Sequence, residues 1–115
     1  MPVDWEIAQE DTVWTQFANA GEAPENFVII DNPETAGINT SAKTLKFTVL
    51  AEANPWAGAV SSAYGEITFT QVSNTLQVMV YKDVISNVGL KVEGEGLDPI
   101  EVMVPNTVTG AWELL

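Results

Sequence analysis

The sequence predicts an all-β protein, an antiparallel β-sandwich or barrel, and three observations carry that prediction. Apolar residues recur at every second position along several short segments. Clusters rich in Pro, Gly, Asn and Asp separate those segments at close spacing. No apolar stripe with the 3.6-residue period of a helix runs longer than two turns.

The elements follow in order. A weak strand is expected at 12–17, and FVIID at 27–31 is a short apolar one. Leu45, Phe47 and Val49 then alternate with Thr44, Lys46 and Thr48, and Ile67 and Phe69 with Glu66, Thr68 and Thr70. Leu76, Val78 and Val80 alternate with Gln77, Met79 and Tyr81. Leu90 and Val92 flank Lys91; Ile100, Val102 and Val104 flank Glu101 and Met103; a last strand is expected at 111–115. Successive side chains of a strand point to opposite faces, so each alternation describes one face toward a core and one toward water. GEAPEN, DNPETAG, EANPWAG, QVSN, EGEGLDP and PNTVTG supply the turns, because Pro and Gly set backbone angles that strand interiors do not tolerate.

Length and composition narrow the possibilities. A chain of 115 residues with 46% apolar content suits one domain, 1–115, around one core. No window approaches the ~18 uncharged apolar residues of a membrane-spanning helix. The opening MPVDWEIAQED places acids where a secretory signal needs a basic start and an apolar run. The chain therefore begins on a mature segment or reaches its location by another route. The formal net charge is −12, with 16 acids against 4 lysines or arginines. Phosphate neutralisation needs Lys and Arg, so nucleic acid is a poor partner, and anionic lipid surfaces are disfavoured for the same reason. With no His and no Cys, thiolate zinc sites, Ser–His–Asp triads and imidazole acid–base chemistry are all excluded. Pairs of carboxylates remain, yet nothing orients a substrate between any two of them, and the reading is that the chain is not an enzyme.

The strand faces suggest a different activity. Opposite Leu76, Val78 and Val80 lie Gln77, Met79 and Tyr81; opposite Ile100, Val102 and Val104 lie Glu101 and Met103. A sheet face mixing rings with amides and carboxylates matches a sugar, whose C–H face packs on an aromatic while its hydroxyls are hydrogen-bonded. The competing reading is that a loop covers Met79 and Tyr81.

The order DNPETAGINTSAKTLKF, NPWAGAV, VMVYKDVISNVGLKVE and GAWELL resembles a group of bacterial carbohydrate-binding modules with the galactose-binding-domain-like jelly-roll fold. The likeness runs from about residue 5 to the end. It rests on Asn32-Pro33, Gly37-Ile38-Asn39-Thr40-Ser41, Trp56-Ala57-Gly58, Val80-Tyr81-Lys82 and Trp112-Glu113. It implies a jelly roll, an extracellular or surface-exposed setting and, in many members, a structural calcium. Such modules usually continue beyond the W-E-x-L strand for further strands, whereas this sequence stops at Leu115. Three outcomes are then open: a shortened sandwich, a fragment, or an exposed edge completed by strand exchange and self-association with another chain.

The expected function is non-catalytic binding of a polysaccharide or oligosaccharide, a β-glucan or another neutral glycan. Trp56, Tyr64 and Tyr81 are the candidate stacking rings, with Gln77, Lys82, Lys91 and Glu101 as hydrogen-bonding partners. Trp56 sits in a Pro-Trp-Ala-Gly turn whose small neighbours leave the indole open, and capping of a sandwich end is the competing role. Tyr64 shares the parity of Glu66 and Thr68 and should point away from the core. Trp5 and Trp14 are expected as core or edge cover, and Trp112 as a packed strand residue. The 31–41 loop offers side-chain oxygens of the kind that hold calcium, Asp31 being the metal candidate, although the same oxygens form Asx and Ser/Thr turns unaided. The alternative function is a structural or adhesive subunit of a virion, filament or surface layer on the same fold.

Overall fold

The computed structural model describes residues 3–7 and 13–115. It is nearly all-β. The eight strands are β1 (Thr15–Phe17), β2 (Phe27–Asp31), β3 (Lys43–Phe47), β4 (Gly58–Val60), β5 (Met79–Tyr81), β6 (Asn87–Val92), β7 (Ile100–Pro105) and β8 (Trp112–Leu114). They pair antiparallel in four two-stranded ribbons, β1–β4, β2–β3, β5–β8 and β6–β7. A 3₁₀ turn at Pro24–Asn26 precedes β2, with proline at its start, where a missing N–H costs nothing.

The ribbons fall into two compact units. The first comprises Met1–Pro33 with Ser41–Ile67 and holds β1 to β4; the second comprises Glu34–Thr40 with Thr68–Leu115 and holds β5 to β8.

The structure departs from the alternation pattern most clearly at 12–17, 66–70 and 58–60. Position 12 of the expected 12–17 strand lies outside the described residues; the remainder forms β1 only over Thr15–Phe17. No strand forms over 66–70, where the Thr70 N–H donates to the Ser73 carbonyl and the Thr70 hydroxyl accepts from the Val72 and Ser73 amides. A threonine that satisfies its neighbours locally competes with any ladder it could join. Conversely, a strand begins at Gly58, the last residue of the expected EANPWAG turn, and runs to Val60 as β4, where the sequence pattern predicts none. Its strand character comes from its partner: Phe17 stands opposite Gly58, and a Cβ at Gly58 would lie 2.8 Å from Phe17 Cζ. Only glycine lets that ring lie across the pair.

Among the described residues no apolar side chain is fully buried, and the most enclosed groups are two asparagines, Asn19 at 0% and Asn106 at 1% exposure. Both are saturated with hydrogen bonds, as buried amides must be. Asn19 Nδ2 donates to the Thr48 carbonyl (2.9 Å) and Gln16 Oε1 (3.3 Å), while its Oδ1 accepts from the Leu50 N–H (3.0 Å). Asn106 Nδ2 donates to the carbonyls of Val84 (3.1 Å) and Val108 (2.8 Å), and its Oδ1 accepts from the Ser86 N–H (2.9 Å). Each amide therefore joins separate loops into one polar knot per unit.

Apolar cover in the first unit is aromatic. Tyr64, Trp14, Trp5, Phe27 and Phe47 form a continuous series of ring contacts, with centroids 5.9, 5.6, 6.2 and 6.0 Å apart in that order. Tilted and edge-on geometries of this kind bring positive ring edges to negative faces and contribute about 0.5–1.5 kcal/mol per pair beyond area burial. In the second unit Tyr81 meets its cross-strand partner Trp112 edge-on at 5.7 Å.

Candidate ligand-binding surface

Among the described residues Trp56 is the most exposed ring of the first unit, ahead of Phe17. Its turn is built from Asn54-Pro55-Trp56-Ala57: Pro55 pre-sets the backbone at the second position, and the Ala57 N–H closes onto the Asn54 carbonyl at 2.9 Å. β4 begins at the next residue and pairs with β1, so the turn is fixed on its C-terminal side. On its N-terminal side the Asn54 N–H donates to the Ala18 carbonyl at 3.0 Å. The indole on this braced turn is 65% exposed, and among the described residues nothing hydrogen-bonds it or stacks on it.

The 18–22 loop that braces the turn is strained. Ala18, Ala20 and Glu22 adopt left-handed backbone angles, with φ of 59°, 53° and 46°. For residues carrying a Cβ each costs on the order of 1 kcal/mol, and such conformations persist where surrounding bonds over-determine them. Here the bonds are those of Asn19, the Ala18 N–H donated to Glu22 Oε1 (3.0 Å), and Gln16 Nε2 donated to the Ala23 carbonyl (3.0 Å). The strained loop holds the strand end to which the Trp56 turn is tied.

The other candidates are distributed. Tyr64 lies in a turn, so strand parity does not set its direction; it is half-buried, and its hydroxyl accepts from Trp14 Nε1–H at 3.1 Å. Tyr81 is half-buried against Trp112, and Gln77 lies exposed just before β5. Lys82 Nζ donates to the Ser86 carbonyl (2.9 Å) and hydroxyl (2.5 Å), and partial burial pulls its pKa down. Lys91 pairs with Glu93 at 2.5 Å and stands cross-strand from Glu101. The structure thus joins Lys91 to Glu101 on one ribbon and Tyr81 to Lys82 along one segment. Trp56 and Tyr64 belong to the first unit and those four residues to the second.

At the calcium candidate, Asp31 pairs with Lys43 Nζ at 2.5 Å, and that hydrogen bond and charge hold its carboxyl below the usual range. Asn32 Nδ2 donates to the Ser41 carbonyl and the Ser41 hydroxyl to the Lys43 carbonyl, so these groups close the loop on itself. Among the described residues no three acids converge as a metal-binding group. A cation at Asp31 would have to displace Lys43.

Asn19 and Asn106 went unnoticed in the sequence, and nothing within ANA or PNT marks a buried amide. No family model, curated protein or solved structure matches this chain.

Proposed function

We propose that the chain is a non-catalytic glycan-recognition domain for a neutral polysaccharide of β-glucan type, with Trp56 as the ring on which a sugar stacks. The observation that carries this reading is the unpartnered indole on a turn braced at both ends. The bracing fixes the backbone from which the ring projects, and a flat apolar ring pairs with a pyranose C–H face. The net charge of −12 favours neutral glycans, since sulfated or uronate-rich chains would be repelled. The fold assigned to this role is the galactose-binding-domain-like jelly roll, which eight short antiparallel strands and the turn spacing support. Surface or extracellular residence goes with the role.

Titration with β-glucan oligosaccharides tests it. Trp5, Trp14 and Trp112 all make ring contacts, so a ligand-induced emission shift should come from Trp56. Trp56→Ala should weaken binding by about ten-fold or more, the loss of roughly 1.4 kcal/mol of stacking, with the unfolding midpoint unchanged. Unaltered oligosaccharide affinity in Trp56→Ala, or no affinity in the parent chain for any neutral glycan, overturns the reading.

A further inference from the structure

β7 is exposed along its whole length, and among the described residues β6 is the strand it pairs with. The Asn106 N–H donates to the Ser86 carbonyl at 3.4 Å, which sets the phase of the ladder. Hydrogen-bonded pairs recur every second residue in an antiparallel ladder, so Val104, Val102 and Ile100 exchange bonds with Val88, Leu90 and Val92. The amides and carbonyls of Glu101 and Met103 therefore point to the free edge. Pro105 falls in the same phase, where its missing N–H costs no ladder bond; prolines are tolerated at such edges.

One face of this ribbon is aliphatic throughout. Val88, Leu90 and Val92 stand opposite Val104, Val102 and Ile100 in register. Ile100 and Val102 remain 57% and 54% exposed. Phe69 and Leu76 line the same face, leaving a groove of about 320 Å³. At the hairpin end of the ribbon negative charge predominates. Glu93, Glu95, Asp98 and Glu101 cluster in sequence around Lys91, which Glu93 already engages.

We infer that the free edge of β7 and the aliphatic face beside it form a docking site for an extended segment of a partner polypeptide, with aliphatic residues at alternate positions and Lys or Arg where it passes the 93–98 loop. Main-chain bonds to Glu101 and Met103 would hold the added strand, and its alternate side chains would lengthen the aliphatic face. The acidic loop selects the flank. A second copy of this chain is the poorer occupant, because it brings a net charge of −12 to the same acidic end.

Two capped peptides test this, both with a Val-Thr-Val-Thr-Val centre, one flanked at each end by Lys-Lys and the other by Glu-Glu. Calorimetry should show the lysine peptide binding at least about ten-fold more tightly, the difference fading at 1 M salt as charges are screened. Hydrogen exchange should show the Glu101 and Met103 amides gaining protection, while the Val102 amide, already bonded to β6, changes little. Met103→Pro removes one outward donor and leaves the bonds to β6 in place; Val102→Lys charges the aliphatic face. Each should abolish peptide binding while circular dichroism is retained. Equal binding of both peptides, binding of neither, or protection that omits Glu101 and Met103 overturns the inference. So does self-association of the chain alone that Met103→Pro abolishes, which would make a second copy the occupant.

Discussion

The two units use the same alternating pattern and reach different ends. In the first, the apolar face of β2–β3 is met by rings: Trp5 packs edge-on against Phe27, and Trp14 and Tyr64 extend the series. In the second, the aliphatic face of β6–β7 keeps much of its surface in water. Alternation determines which side of a strand is apolar. What covers that side depends on large side chains delivered from elsewhere in the chain. Trp5, Trp14 and Tyr64 all lie outside the strands that form, so alternation does not set their direction. The units agree in one respect, since each is organised around a buried asparagine.

Breaking those asparagines should have the largest effect. Asn19→Ala strands the Leu50 N–H and the Thr48 carbonyl; Asn106→Ala strands the Ser86 N–H and the carbonyls of Val84 and Val108. An orphaned buried polar group costs about 1–3 kcal/mol, so each substitution should destabilise its unit by roughly 2–4 kcal/mol. Amide exchange read strand by strand sharpens the comparison. Asn19→Ala should accelerate exchange in β1 to β4, and Asn106→Ala in β5 to β8. Uniform acceleration from either variant would show that the two units unfold as one.

A smaller change probes the aromatic cover alone. Tyr64→Phe keeps the ring against Trp14 and deletes the acceptor of its Nε1–H. A net hydrogen bond is worth about 0.5–1.5 kcal/mol, and urea unfolding followed by tryptophan emission should report a loss of that size. The aliphatic face gives the contrast: Val102→Thr, at an exposed position, should shift stability by no more than about 0.5 kcal/mol. A large cost there would mean that the face is already packed.

Much of this arrangement is legible in the sequence. FVIID matches β2 over 27–31, and the alternations at 90–92 and 100–104 lie within β6 and β7. At 76–81 the assigned strand is only Met79–Tyr81, although Val78 and Leu115 still exchange N–H and carbonyl bonds and carry the β5–β8 ladder one pair further. What escaped is non-local or polar. β4 exists because β1 is available to pair with it and Gly58 admits the Phe17 ring. Val49, expected on a core face, is largely exposed because β3 ends at Phe47. The residue of β3 that is buried is Thr44, on the opposite face. The openness of Trp56 is foreshadowed by its small turn neighbours, whereas the brace from the strained 18–22 loop depends on a hydrogen bond across tens of residues.

The smallest predicted effect is a difference in acid response. Among the described residues each unit has one carboxylate held below its ordinary pKa by a named partner. Asp31 is lowered by its hydrogen bond to Lys43 and by that residue's charge; Glu113 is lowered by the Thr107 hydroxyl and by the Thr107 and Val108 amides. A depressed folded-state pKa means stability that is fully present above the unfolded value and lost as pH falls through the folded one. Those unfolded values are 3.8 for Asp31 and 4.5 for Glu113, so both units should be flat from neutral pH down to about 5 and loosen only below it. The two partners differ in kind. Lys43 carries a charge that salt screens, while Thr107 donates neutral hydrogen bonds that salt leaves alone. In 1 M NaCl the acid response of β2–β3 should therefore shrink, and that of β8 with the 106–108 segment should persist. Glu113→Gln should remove the latter and spare the former, both followed by amide exchange at pH 3 to 5. A salt-sensitive response at Glu113 would place a charged group beside it and end the distinction.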